Sequence, residues 1–83
     1  MNVHEEVLNI LDEALGLNGR AAQMRRDSPL LGAIPELDSM AVTMVIATIE
    51  ERFGFMIADD EIDASHFETV GALADFVESK ARP

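Results

Sequence analysis

Leu37-Asp38-Ser39-Met40 opens an unbroken helical pattern that predicts a helix from Ser39 to about Phe53, ended by Gly54. Asp and Ser are favoured helix N-caps, because their side-chain oxygens accept hydrogen bonds from free backbone N–H groups. The same helix end carries partial positive charge and therefore also suits a phosphate group. The pair can therefore be a simple cap or a site where a phosphate is attached to Ser39.

Two apolar faces are predicted on this helix when its residues are placed on a helical wheel. The first is expected to face the core and consists of Val42, Val45, Ile46, Ile49 and Phe53. The second lies opposite and consists of Met40, Met44 and Ala47, with Glu51 continuing the line. Since a surface helix needs only one buried stripe, the second face is predicted to bind a partner protein. The alternative is that the preceding loop covers it and makes both faces core.

The rest of the chain predicts an all-α fold, a small four-helix bundle with three longer helices and one short helix. The first helix is expected at about Val3 to Leu15, the short one from Asp59 to about Ala64, and the last one after Thr69 as its N-cap. A long loop with apolar anchors follows the first helix and is expected to pack on the bundle. A single domain is expected over residues 1–83. The predicted core consists of Val7, Leu11, Leu15, Val45, Ile46, Ile49, Phe53, Ile62, Val70, Leu73 and Val77.

Composition and charge exclude several classes of function. A fold of 83 residues is too small for a deep cleft, which argues against an enzyme. The net charge of −10 opposes binding to nucleic acid and to anionic membranes. Without Cys there is no thiolate zinc site, and the acids at residues 59–63 lack the spacing of a calcium loop, so no metal site is predicted. With no secretory signal and no apolar stretch of membrane-spanning length, we expect a cytoplasmic monomer that does not insert into membranes.

The tetrapeptide Leu37-Asp38-Ser39-Met40 resembles the Asp-Ser-Leu signature of acyl carrier proteins. The order around it is also similar: a helix, a long loop, a helix that ends in Glu50-Glu51-Arg52-Phe53-Gly54, an acidic segment, then Phe67-Glu68-Thr69-Val70 and a final helix. This resemblance covers nearly the whole chain. It implies a carrier that has no catalytic residues and presents its cargo to other enzymes.

The resemblance implies a cofactor and partners. Ser39 would carry 4′-phosphopantetheine, transferred from coenzyme A by a phosphopantetheinyl transferase, and the thiol of that arm would hold an acyl group as a thioester. The carboxylate of Asp38 would hold a metal ion or a basic group of the transferase. Further partners would be acyl-ligase, synthase or transferase enzymes with basic or apolar docking surfaces.

Three readings differ from the usual carrier of fatty-acid synthesis. The predicted partner face has few acids near Ser39, which favours a specialised carrier for lipids or other metabolites. A carrier of aminoacyl (peptidyl) groups is a second reading. The third is a helical adaptor that binds through Met40, Met44 and Ala47, with Ser39 only a cap. A serine hydrolase is excluded because Ser39 lacks the Gly-x-Ser-x-Gly elbow, and His66 is expected to be a solvated loop residue.

Overall fold

Three α-helices make up the computed structural model, which describes residues 2–81. They are α1 (Val3–Leu15), α2 (Ser39–Phe53) and α3 (Val70–Ala81). Two short 3₁₀ helices, Arg20–Gln23 and Ala64–Phe67, lie in the connections between them. The all-α prediction is confirmed, and so are the bounds of the first two helices. Met1, Arg82 and Pro83 lie outside the described residues.

The ends of the helices follow local capping chemistry. The side chain of Asn2 accepts a hydrogen bond from Glu5 N at 3.2 Å and so caps the start of α1. The predicted cap of α3 is also present, since Thr69 Oγ1 accepts from Ala72 N at 3.1 Å. Gly16 and Gly54 end α1 and α2 with φ of +64° and +75°, a left-handed conformation in which glycine is unstrained.

The core lies where the three α-helices meet, and it is aliphatic apart from one aromatic ring. The prediction is confirmed for eight of the eleven residues named, while Ile46, Phe53 and Ile62 are only half-buried at its edge. The buried hydrophobic residues that were not in the predicted core are Ile10, Leu17, Ala21, Leu30, Leu37, Ile57, Phe67 and Ala74. Most of them belong to the connections, so the irregular segments supply much of the core.

The long connection, residues 16–38, is fastened to the start of α3 by backbone hydrogen bonds. Leu30 N donates to Glu68 O at 3.0 Å, and Leu31 N donates to Phe67 O at 2.9 Å. In the other direction, Val70 N donates to Ser28 O at 3.0 Å and Gly71 N donates to Arg26 O at 2.8 Å. The expectation that this loop packs on the bundle is confirmed: of its expected anchors Leu30, Leu31, Ile34 and Leu37, Leu30 and Leu37 are buried and Ile34 is half-buried, while Leu31 is 43 % exposed. Leu17 and Ala21 of the same loop are buried as well.

The predicted short helix from Asp59 to Ala64 was wrong. Residues 59–61 form a turn, and the helical piece is the 3₁₀ helix at Ala64–Phe67. The reason is that side chains take backbone N–H groups that a helix through this segment would need: Asp63 N donates to His66 Nδ1 at 3.0 Å and Ser65 N donates to Asp63 Oδ1 at 2.9 Å. Such side-chain bonds offer the backbone an alternative to a helix. None of the described helices is long and apolar enough to cross a membrane.

Candidate attachment site

Ser39 is the first residue of α2, and the residue before it does the capping. Asp38 has an extended backbone, and its Oδ1 accepts from Ala41 N at 2.8 Å, while Val42 N donates to Asp38 O at 2.9 Å. Ser39 is exposed, and its hydroxyl has no hydrogen-bond partner among residues 2–81. The cap and the candidate attachment residue are therefore two different side chains, which leaves the Ser39 hydroxyl available for chemistry.

The backbone around Ser39 suits a phosphate. The N–H groups of Ser39 and Met40 have no acceptor within the described part of the chain, as is usual in the first turn of a helix. These N–H groups and the positive end of the helix dipole stabilise negative charge. A phosphodiester on Ser39 Oγ would lie in this field, so the geometry fits a phosphate-linked cofactor.

The chain that leads into α2 is held firmly. Leu37 is buried, and Asp38 N donates to Glu36 O at 3.2 Å. Glu36 also forms an ion pair with Arg20 of the first 3₁₀ helix. The hydrogen bond from Arg20 lowers the pKa of Glu36 from its ordinary value. These contacts fix the position from which Ser39 projects.

An apolar cavity of about 380 Å³ opens beside Ser39. Apart from Asp38, Ser39 and Asp63, its walls are hydrocarbon, and the lining residues are Leu31, Leu37, Asp38, Ser39, Val42, Ile46, Ile62, Asp63, Ala64 and Phe67. They come from the long connection, α2, the segment before the second 3₁₀ helix and that helix itself. The sequence predicted neither the place nor the lining of this cavity, because no local pattern connects these segments.

The predicted partner face of α2 is not covered by the long connection. Met40 is 77 % exposed, Met44 is 56 % exposed, and Ala47 and Glu51 are also exposed. The alternative in which both faces of α2 are core was therefore wrong. That a partner binds here remains a prediction.

The environment of His66 differs from the one predicted. His66 is not a solvated loop residue: it lies half-buried in the second 3₁₀ helix, and its Nδ1 accepts from Asp63 N at 3.0 Å. Its ring packs on Phe76 with centroids 4.6 Å apart. Arg26 forms an ion pair with Asp75 at 2.7 Å. No group of potential metal ligands is found among residues 2–81.

Comparisons with known proteins bear directly on this site. Residues 5–77 match the family model described as a phosphopantetheine attachment site. The chain belongs to the acyl carrier protein family. The solution NMR structure of a holo acyl carrier protein from Nitrosomonas europaea is 54 % identical, with a TM-score of 0.89 and 96 % of each chain covered.

Acyl carrier proteins of Chlamydia are more distant relatives. That of Chlamydia caviae is 29 % identical over 80 residues, which cover 96 % of this chain and 97 % of the relative. That of Chlamydia trachomatis serovar D has the same identity and coverage. The predicted family, the phosphopantetheine-bearing carrier function and the covalently attached 4′-phosphopantetheine are thereby confirmed. The aminoacyl carrier and the adaptor are not favoured.

Proposed function

We propose that Ser39 carries the 4′-phosphopantetheine arm and that the protein presents acyl groups, held as thioesters on that arm, to partner enzymes. The observation that carries this assignment is that two different side chains at the start of α2 serve as the cap and as the free hydroxyl. Asp38 supplies the cap through its hydrogen bond to Ala41 N, and Ser39 keeps an exposed, unengaged hydroxyl. The unpaired N–H groups of the first turn support a phosphate at this position.

Attachment is a phosphoryl transfer to the Ser39 hydroxyl. A bond forms between Ser39 Oγ and the phosphorus next to the pantetheine part of coenzyme A, and the bond from that phosphorus to the leaving adenosine bisphosphate breaks. The proton of Oγ passes to a base of the transferase. One oxygen of Asp38 accepts from Ala41 N, and we propose that the other would hold a Mg²⁺ ion or a basic group of the transferase.

The cavity beside Ser39 supports an acyl cargo over an aminoacyl one. Its walls are largely hydrocarbon, with carboxylates only at Asp38 and Asp63, and this surface favours an aliphatic chain. Because the chain contains no Cys, the arm supplies the thiol that bears the thioester. We propose that part of the acyl chain lies in this cavity while the carrier moves between enzymes.

The remaining parts of the proposal concern partners and setting. The family implies a phosphopantetheinyl transferase and synthase or transferase enzymes as partners; for this chain we propose that they and any acyl ligase dock through Met40, Met44, Ala47 and Glu51. We propose that residues 1–83 form one carrier domain that acts as a monomer without catalytic activity of its own. A specialised pathway is favoured by the lack of acids on the first part of α2, residues 39–49, and a cytoplasmic location fits the use of coenzyme A as donor.

Intact-mass spectrometry tests the assignment. The purified apo protein is incubated with coenzyme A, Mg²⁺ and a broad-specificity phosphopantetheinyl transferase, beside Ser39→Ala and Ser79→Ala. Ser79 is an exposed serine of α3 and serves as the matched control. We expect the mass of one phosphopantetheine to be added to the wild type and to Ser79→Ala, and nothing to be added to Ser39→Ala.

Two results would contradict the proposal. Modification of Ser39→Ala would move the attachment point to another residue. A folded wild-type protein that gains no mass would argue against attachment by this route and would reopen the adaptor reading. Circular dichroism of Ser39→Ala checks that the variant is folded. We expect it to fold, since an exposed hydroxyl outside the core contributes little to stability.

A further inference from the structure

The turn that leads into Ser39 contains Glu36. Leu37 N donates to Ile34 O at 3.0 Å and closes a β-turn with Glu36 as its third residue. The carbonyl oxygen of Glu36 then accepts from Asp38 N at 3.2 Å. Because Asp38 is the cap of α2, a change in the tilt of this turn would move both the cap and Ser39.

The carboxylate of Glu36 depends on Arg20. Its Oε2 pairs with Arg20 Nη2, and this hydrogen bond lowers the pKa of Glu36 from its ordinary value. Its Oε1 is buried and has no hydrogen-bond partner among residues 2–81. A partly desolvated carboxylate is unfavourable unless a counter-charge compensates it. Without Arg20, the Glu36 side chain would therefore turn toward water and draw the turn with it.

Arg20 is itself held in place from α1. Asp12 Oδ2 accepts from Gly19 N at 2.9 Å and from Ala21 N at 3.2 Å, so this carboxylate fixes the backbone on both sides of Arg20. In addition, Arg20 Nε donates to the carbonyl oxygen of the buried Leu17 at 3.1 Å. The arginine is oriented by these contacts, which reduces the loss of side-chain entropy that makes most exposed ion pairs weak.

We propose that Arg20 is a positioning residue for the transfer to Ser39, because through Glu36 it holds the turn that directs the Ser39 hydroxyl. This inference rests on the proposed function. Arg20 acts through Glu36 and not on the reacting atoms, so its effect is on the approach of Ser39 Oγ to the phosphorus of coenzyme A. A misplacement of about 1 Å can slow a reaction by about 100-fold, so a small movement of the turn is enough to be measured.

The first arm of the test measures the transfer in a single turnover. Apo protein is mixed with coenzyme A, Mg²⁺ and an excess of a broad-specificity phosphopantetheinyl transferase, and the modified fraction is followed by intact-mass spectrometry. Arg20→Ala is expected to lower the maximal rate constant by about fivefold or more. The transferase concentration that gives half the maximal rate should change by less than about twofold, whereas a loss of docking would raise it.

Arg26→Ala is the matched control, because Arg26 pairs with Asp75 and ties the same connection to α3. The side chains of Arg20 and Arg26 are 59 % and 58 % exposed. Both substitutions should lower the thermal midpoint by less than about 4 °C, but Arg26→Ala should leave the transfer unchanged. Glu36→Ala should slow the transfer as Arg20→Ala does, and the double variant should be no slower than either, since the two residues act as one unit.

The second arm needs no transferase. In the wild type, Asp38 N donates to Glu36 O, and Ala41 N donates to Asp38 Oδ1. Hydrogen exchange of these two amides, measured by NMR, should become about threefold faster or more in Arg20→Ala and stay unchanged in Arg26→Ala. This arm reports how firmly the turn is held even if Ser39 were not the attachment residue.

Each outcome decides the proposal. Equal maximal rate constants in the wild type and Arg20→Ala would overturn it, even if the exchange of the two amides becomes faster. Slow transfer in Glu36→Ala but not in Arg20→Ala would also overturn it, since Glu36 would then contact the transferase directly. A wild-type protein that gains no mass would refute the proposed function and this inference with it, whereas a modified wild type matched by Arg20→Ala would refute the positioning role alone.

Discussion

The two connections of the bundle look alike in outline but are held by different interactions. Residues 16–38 and residues 54–69 each contain one 3₁₀ helix and each contribute to the cavity beside Ser39. The first is joined to the start of α3 through backbone hydrogen bonds between residues 26–31 and residues 67–71. The 54–63 part of the second is held by side chains, among them Glu50 on Ile57 N and Lys80 on Glu61. Hydrogen bonds between backbone groups are kept when most side chains are replaced, whereas a bond made by a side chain is lost when that residue is replaced.

This difference matters for the cavity. Leu31 and Phe67, which line one wall, are joined by the hydrogen bond from Leu31 N to Phe67 O. The lining also contains Ile62 and Asp63, which belong to the part held by side chains, and Ala64, which follows them at the start of the 3₁₀ helix. Regions with fewer buried contacts and exposed hydrogen bonds open at lower free energy. We therefore expect a cargo chain to be accommodated by movement of residues 62–64 rather than of residue 31.

The largest effect should come from the buried anchor of the first connection. Leu30 is fully buried, while Leu31 beside it is 43 % exposed. Leu30→Ala is expected to lower the free energy of unfolding by about 2–5 kcal/mol, because it removes apolar contacts and leaves a cavity in the core. Leu31→Ala should cost about 1 kcal/mol or less. Urea denaturation measures both, and similar losses in the two variants would mean that Leu30 does not anchor the connection.

The sequence predicted the first connection better than the second. The helices and the packing of the first connection followed from Gly16, Gly54 and the apolar anchors, which are local signals. The second connection was misassigned because acids at residues 59–61 resemble a helix start, whereas they serve a turn. Its capping box also escaped notice, since His66 stands where Glu or Gln is expected.

Some features of the candidate site could also be predicted from the sequence, and others could not. Ser39 and Asp38 were recognised from the sequence because their motif is contiguous, and their attachment role stays a proposal. Which of them caps α2 was not predictable, since either side chain is a good N-cap. The backbone pairing of residues 26–31 with 67–71, and the cavity behind it, depend on segments far apart in the chain and leave no pattern in either segment alone.

The backbone pairing itself can be tested at Gly71. A Cβ at this position would lie 2.9 Å from the backbone oxygen of Arg26, which is too close, and that oxygen accepts the bond from Gly71 N. Gly→Ala inside a helix normally stabilises it by about 0.5–1 kcal/mol. Here Gly71→Ala is expected to destabilise the protein by about 1–3 kcal/mol, because the two backbones must move apart. The sign of the change in the thermal midpoint tests this prediction. A higher midpoint in the variant would show that the connection can move away from Gly71 at little cost in free energy.

The smallest effect should come from removing an ion pair that holds the second connection. Lys80 Nζ lies 2.7 Å from Glu61 Oε2, and Glu61 Oε1 accepts from Ala58 N. The hydrogen bond from Lys80 first, and that from Ala58 N second, lower the pKa of Glu61 from its ordinary value. Because the pKa is lower in the folded state, the ionised carboxylate stabilises the fold above its unfolded pKa of about 4.3. This contribution is lost as the pH falls through the folded pKa.

Lys80→Ala is therefore expected to raise the pKa of Glu61 toward its ordinary value, as measured by NMR titration of its side-chain carboxyl. The thermal midpoints of wild type and variant should differ slightly at pH 7 and converge as the pH falls through the folded-state pKa of Glu61 and the carboxylate becomes protonated in both. Asp75 is the internal control, because its pKa is lowered by Arg26 and not by Lys80. If Glu61 titrates in the variant as it does in the wild type, while Asp75 is unchanged as expected, the ion pair from α3 to Glu61 does not exist in solution, and the contrast between the two connections must rest on the other side-chain bonds, such as that from Ile57 N to Glu50.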